Sequence, residues 1–443
     1  MAHVWLRHGA WRGPFTLNDQ PAHGITPFLT APGSASGNPL RLKENEGKSF
    51  IGVYIMGIGF VLEPEEAQEL IAKDPRNAEA LFPYLNGEDL NSRPDQLPSR
   101  YVINFQDWPL EKAESYSDLM MIVYRQVKPY RENQNDKLGR ELWWRFFRSR
   151  PELYATIAGM ERVLAIALTS KYLSISKIAT NVVFDQTAVI ITIEKWAYFS
   201  TLCSTFHDAW VWNYGATMRN AGMRYSPSDV FETFPFPACL QEEASRQGAK
   251  PEEISRKAAK PQSRNSNVSD LSGLAALREP ARLPGLSDFA ALRENLDRIG
   301  AAYHAHRQHI MLTRQEGLTK TYNRFHSPDE RSDDIAELRR LHVALDEAVA
   351  AAYGWGGPST GSGQALELGH GFHQTKQGLR YTISEAARRA VLDGLLALNH
   401  QRYAEEVAEG LHDKKGSGAR GQGSGKGRKP KGGDETEGQG RLL

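Results

Sequence analysis

The chain has 443 residues, 40% hydrophobic and 9% aromatic, enough for two or three packed domains, and its formal net charge of +1 leaves partners to be read from local charge. Two cysteines, Cys203 and Cys239, exclude a disulfide framework and a thiolate metal centre and point to a reducing cytoplasm. No run approaches the roughly 20 apolar residues of a bilayer crossing, so no membrane partner is expected.

In chain order, the first motif is IMGIGF, Ile55 to Phe60. It lacks the full GxGxxG and runs into LEPEEAQELI, without the phosphate-facing helix start and the acidic residue about 20 positions on that a dinucleotide loop needs. Next, Phe82 to Gln96 (FPYLNGEDLNSRPDQ) sets acids, asparagines, an arginine and a glycine beside aromatic residues. It reads as a turn rather than a catalytic cluster: Asn86-Gly87 favours positive φ, and Asp89 or Asn91 can bond nearby amides.

The stretch Tyr124 to Tyr154 is basic and aromatic. Arg125, Lys128, Arg131, Lys137, Arg140, Arg145, Arg148 and Arg150 surround Trp143, Trp144, Phe146 and Phe147. Cations that replace counterions along phosphates, with flat rings for sugars or bases, suit a nucleic-acid surface. The rival reading makes Trp144, Phe147 and Pro151 core residues and the arginines the wet face of the same helix. Composition alone leaves both open.

Residues 160–195 hold short runs rich in Val, Ile, Thr and Tyr with polar punctuation, and read as β-strands. Within them TSKYLSISK offers Ser170, Lys171, Ser174, Ser176 and Lys177 to base edges or phosphates, and the later RNAGMRYSPSDVF adds Arg219, Asn220, Arg224 and Tyr225. After Cys239 large hydrophobes nearly vanish, which predicts a disordered linker over 240–280. Three later segments, 288–315, SDDIAELRRLHVALDEAVAAAYGW and SEAARRAVLDGLLALNHQRYAEEVAEGL, repeat apolar positions at three and four and predict amphipathic helices with Ser332 and Ser384 as N-caps. His304, His306, His309, His370 and His373 lack a matching set of metal ligands and read as solvated or hydrogen-bonded side chains. Residues 413–443 form a basic tail rich in glycine and lysine. The expected fold class is α+β: a mixed, β-rich domain over 1–239, the linker, an all-α domain over 281–412, and the tail.

The runs LFPYLNGEDLNSRPDQLPSRYVINFQDWPLEKAE, WW with RPELY, RYSPSDVFETFPFP, and GLTKTYNRFHSPDERSDDIAELRRLHVALDEAVAAAYGW with LNHQRYAEEV together resemble the C-terminal part of the MmeI-like type II restriction–modification enzymes and their relatives in phage-defence systems. The resemblance implies a DNA target recognition domain followed by a helical domain, in enzymes that methylate adenine with S-adenosylmethionine. A methylase of that kind needs an FxGxG cofactor loop and an Asn-Pro-Pro-Tyr/Phe pocket for a flipped adenine. Neither occurs here, and FPYLN has one proline and no preceding asparagine. No catalytic residue, cofactor site or metal site is therefore expected within this chain. S-adenosylmethionine belongs to a methylase domain joined in cis or supplied in trans, which makes the chain a split-gene subunit, a truncated reading frame or a fragment. The stretch AHVWLRHGAWRGPFTLNDQP looks like the methylase junction.

The expected function is recognition of duplex DNA for an adenine-specific methylase. The alternatives are a stand-alone specificity subunit and a non-functional remnant. The resemblance tips the basic segment toward DNA contact but transfers no contact residues. Chemistry selects Ser170, Lys171 and Lys177 on the strand turn, Arg219, Arg224 and Tyr225 before the closing motif, and Arg140 and Arg145 for phosphates.

Overall fold

A computed structural model describes residues 13–17, 20–22, 37–218, 222–241, 286–355 and 366–412. The predicted tail and, apart from Leu240 and Gln241, the predicted linker lie outside these residues, as does most of the junction stretch. None of the described helices is long and apolar enough to cross a membrane.

The architecture is α+β, with a β-rich N-terminal region and a helical C-terminal one. The strands that position the site are β1 (Ser49–Ile51), β2 (Val61–Leu62), β3 (Leu81–Leu85), β4 (Arg100–Ile103), β5 (Arg162–Ala167), β6 (Thr169–Ser170), β7 (Ser176–Ala179), β8 (Val183–Phe184), β9 (Ala188–Ile191), β10 (Ala216–Met218) and β11 (Gly222–Arg224). They form three sheets in the orders β8-β3-β4-β2, β1-β9-β5-β7 and β10-β11-β6.

The second sheet explains the apolar runs of 160–195. Successive strand residues face opposite sides, so a strand covered on one face alternates apolar with polar. Here Leu164, Ile166, Val189 and Ile191 enter one core, and Val163, Ala165, Ala188 and Ile190 enter another. Both faces are covered, so both sets are apolar. Each large aliphatic side chain buried this way contributes about 1.5–3 kcal/mol.

Short helices flank the first sheet: α1 (Pro64–Lys73), α2 (Gly87–Ser92), α3 (Ser117–Gln126), α4 (Lys128–Glu132) and α5 (Lys137–Glu141). Helices α6 (Trp196–Cys203) and α7 (Thr205–Tyr214) follow the second sheet, and α8 (Leu286–Arg314), α9 (Leu318–Phe325), α10 (Asp333–Ala352) and α11 (Glu385–Ala408) form the C-terminal region. Helix α8 buries Leu296, Ile299, Tyr303 and Ile310, a stripe at spacings of three and four with Arg307 inside it. That stripe packs on α6 and α10, and a single core joins Leu164, Ile166, Phe199 and Trp210 to Leu296, Leu338, Val391 and Leu395. The C-terminal helices thus share their interior with the second sheet.

Three expectations change. Between α10 and α11 the region expected to be all-α carries a hairpin, β12 (Gly371–Thr375) with β13 (Gly378–Thr382), paired His373 to Arg380 and Phe372 to Tyr381. Its alternation of small, aromatic and polar residues lacks a helical stripe. Ser384 caps α11 by accepting from the Ala387 N–H at 3.2 Å, whereas Ser332 occupies the cap position of α10 without a side-chain cap bond. Finally, Asn86-Gly87 is not a positive-φ turn but a helix start. Asn86 is the N-cap of α2, accepting from Glu88 and Asp89 N–H, while the Asp89 carboxylate accepts from Asn86 N–H, a complete capping box. Glycine is needed at 87 for close approach: a Cβ there would lie 2.7 Å from the Thr187 carbonyl oxygen.

Candidate nucleic-acid interface

The loop after β8 locks the α2 start in place. The Asp185 carboxylate accepts from the Thr187 N–H at 2.8 Å and from the Tyr84 hydroxyl, and Thr187 Oγ1 accepts from the Gly87 N–H at 2.9 Å. Burial and the facing Asp185 charge keep the Tyr84 phenol protonated. This bonded block forms one wall of an open groove of about 1240 Å³. Asn86, Asn91, Arg93, Arg100, Gln186 and Thr187 line it together with Tyr54, Met56, Ile58 and Tyr130. Amides, hydroxyls and cations around an open concavity can meet an extended polar ligand.

At the edge of the groove lies the small sheet β10-β11-β6. Thr169 lines the groove, while Lys171, two residues on, lines a second and more enclosed cavity of about 240 Å³. Strand β11 pairs with β6 in the register Met223 to Ser170 and Arg224 to Thr169. The ridge therefore carries Lys171 and Arg224 together, both exposed. Lys171 Nζ donates to Asn323 Oδ1 at 2.7 Å, and the Tyr172 hydroxyl donates to the same oxygen at 2.7 Å, which ties the ridge to α9.

The remaining expected site residues fall elsewhere. Ser170 is on the ridge but buried, its Oγ accepting from the Tyr172 N–H. Tyr225 is wholly buried against His207 Nε2 at 2.9 Å, so it is a core residue and not a DNA contact. Arg219 and Asn220 lie outside the described residues. Lys177, on β7, sits over the Trp196 ring at 4.3 Å, and burial lowers its pKa.

In the basic-aromatic segment the core reading holds in part: of Trp144, Phe147 and Pro151, only Trp144 is buried, while Phe147 is half-buried against Tyr54 and Pro151 is exposed. Trp143, Trp144 and Phe146 are buried. Arg145 donates Nε and Nη2 to the Trp108 carbonyl at 2.9 and 2.7 Å, so its fork is occupied by backbone instead of phosphate. Arg131 is buried and donates to the carbonyls of Met56, Ile55, Gly139 and Arg145. Arg140 is exposed but bonds the Gln134 carbonyl and lines neither the groove nor the cavity.

The histidines of the sequence motifs make ordinary contacts. His304 packs edge-on to Trp196 and Phe199, His306 Nε2 meets the Asp334 carbonyl at 2.8 Å, and His370 Nε2 meets Asp346 at 2.9 Å. No group of three or more His, Cys, Asp or Glu among the described residues could hold a metal ion.

Sequence reasoning missed the second cavity, which α7, α9, the β12–β13 hairpin and α11 enclose. Arg380, Arg388, Lys376, His326 and Asp208 line it together with Lys171. Only the topology brings positions 171, 208, 326 and 380 together, so no local motif announces them. Burial pushes the Asp208 carboxyl up to about 7, against the pull of Arg380, the Trp212 indole and Arg388. Because this folded-state value lies above the unfolded one, the stability Asp208 contributes is full below about pH 4 and is lost as the pH rises toward 7. Asp208→Asn should therefore stabilise the protein on the order of 2 kcal/mol more at pH 8 than at pH 4 in urea unfolding. An equal effect at both values would show that the carboxyl titrates normally.

Residues 52–238 match the family model described as the target recognition domain of MmeI. No curated protein matches the chain. Among solved structures it is similar, at 17% identity and a TM-score of 0.54, to the Type IIL restriction–modification enzyme MmeI in complex with DNA. That likeness, one of fold, covers 87% of this chain and 39% of the other, so the chain spans well under half the length of that protein.

Proposed function

We propose, from the MmeI-type target recognition domain that residues 52–238 form, that this chain reads duplex DNA by sequence and presents it to an S-adenosylmethionine-dependent adenine methylase. The observation that carries the reading is the ridge of β6 and β11, which carries the exposed Lys171 and Arg224 and reaches an open groove at Thr169. Cations on such a ridge replace counterions along the phosphates, and the amides and hydroxyls of the groove are the groups that read base edges. Methyl transfer belongs to a methylase domain or subunit in cis or in trans, and no residue of this chain is assigned to the cofactor. Cys203 and Cys239 are buried thiols and form no disulfide with each other, which suits a reducing cytoplasm.

The test is selection from a randomised duplex library at two salt concentrations, followed by titration of the selected site. Sequence-selected binding that survives moderate salt is expected from the wild type. Joint Lys171→Ala and Arg224→Ala substitution should cost about tenfold or more in affinity and lower the salt slope by about two. Binding without sequence preference, or a double variant indistinguishable from wild type, would overturn the reading.

A further inference from the structure

Resting on that reading, we propose that the cavity between the ridge and the β12–β13 hairpin is a phosphate site, in which Arg380 and Lys171 grip one backbone phosphate of the bound DNA. The hairpin lies outside the matched recognition domain, so it extends the interface into the helical region.

Two cations converge on one ring. Arg380 Cζ lies 5.0 Å and Lys171 Nζ 5.1 Å from the centre of the Tyr172 ring, and both side chains line the same cavity. The described ion pairs include neither of them: Arg380 bonds only its neighbour's carbonyl, at Leu379, and Lys171 only the neutral Asn323. Lys376 lines the same space, as does Arg388, whose charge is met by Glu385. Like charges gathered without a counter-ion repel each other unless an anion completes the group.

The acids within reach do not fill that role. Glu385 is spent on Arg388 and Arg389, at 2.7 and 2.8 Å. Asp208 is the other carboxyl of the cavity, and burial raises its proton affinity into the neutral range against the opposing pull of Arg380, Trp212 and Arg388. His326 adds a donor. It stacks on Tyr172 at 5.0 Å, its Nδ1 accepts from the Tyr381 N–H at 3.2 Å, and its pKa is held well below normal by burial and by Arg380. In the neutral ring the proton then sits on Nε2, available to a phosphate oxygen. A planar guanidinium, an ammonium and an imidazole N–H around half-enclosed space form a phosphate-binding set.

Two arms on the full chain separate the sources of the phosphate. In the first, fluorescence anisotropy follows the selected duplex against salt for wild type, Arg380→Gln, Arg380→Lys and the surface control Arg340→Gln, whose arginine pairs with Glu337. In the second, inorganic phosphate is titrated against thermal unfolding without DNA, with chloride at matched ionic strength. Arg380→Gln should weaken DNA binding about fivefold or more and lower the salt slope by about one, Arg380→Lys should restore the slope, and Arg340→Gln should change neither. Wild-type slope and affinity in Arg380→Gln would overturn the DNA assignment while leaving sequence-specific binding by the ridge intact. If phosphate still stabilised the wild type and not Arg380→Gln, the cavity would serve a free phosphate instead. Should the wild type bind no duplex, the proposed function fails by itself, and the phosphate arm alone then decides whether the cavity takes the anion.

Discussion

Asp346→Ala is expected to destabilise the protein by about 3–5 kcal/mol. Asp346 is fully buried on α10 and receives three donors. Its Oδ1 accepts from the Thr205 N–H at 2.8 Å, and its Oδ2 accepts from the Thr205 hydroxyl at 2.5 Å and from His370 Nε2 at 2.9 Å. Thr205 is the first residue of α7, so the carboxylate satisfies one of the amides that a helix N-terminus leaves without an intrahelical partner, and its charge faces the positive end of the helix dipole. Burial alone would raise its pKa, yet His342, His370 and Thr205 together hold it below the usual carboxylate range. With a depressed folded-state value, this stability is present above about pH 4 and disappears as the pH falls through the folded pKa. Alanine leaves the Thr205 amide and hydroxyl and the His370 ring without their acceptor. Asp346→Asn should cost less, since Oδ1 still accepts from the amide. Urea unfolding at pH 7 checks both, and an alanine variant within about 1 kcal/mol of wild type would mean that the network carries little of the fold.

Gly222→Ala should remove DNA binding and cost about 2–4 kcal/mol. Gly222 opens β11 with φ +98°, and a Cβ there would lie 2.2 Å from the Ser170 carbonyl oxygen and 3.0 Å from Lys171 Cα. The obstacle is backbone, so the added methyl either parts β11 from β6 or displaces Lys171. Both outcomes dismantle the ridge. Gly47→Ala is the control: its φ of +72° carries the same kind of strain, but nothing lies within 4 Å of the added carbon. It should cost about 1 kcal/mol and leave affinity unchanged. Duplex titration below the unfolding temperature of each variant reads the difference, and wild-type affinity in Gly222→Ala would show that the ridge does not carry the contact.

Both predictions rest on contacts between residues far apart in the chain. What could be read locally was the type of element. The continuous apolar runs of 160–195 announce covered strands, and the three-and-four spacing of Leu296, Ile299 and Tyr303 announces a packed helix, because side-chain direction follows backbone period. The long motifs around FPYLNGEDL and RYSPSDVFETFPFP likewise led to the recognition domain matched over 52–238. The β12–β13 hairpin escaped because HGFHQTKQGLRYT is short and mostly polar, with its aromatic rings set by contacts to Arg339 and Phe325.

The amino-acid sequence by itself determined the strands of 160–195 and the long amphipathic helices α8, α10 and α11, since each pattern repeats within a few residues and needs no partner to be recognised. Tertiary structure alone decided which cations are free to act. Arg131 and Arg145 look no different in sequence from Lys171, Arg224 and Arg380, yet the first two spend their guanidinium groups on backbone carbonyls at Ile55, Met56 and Trp108. A buried guanidinium is tolerated only where acceptors meet it, and those acceptors come from chain positions that only folding brings within hydrogen-bond reach.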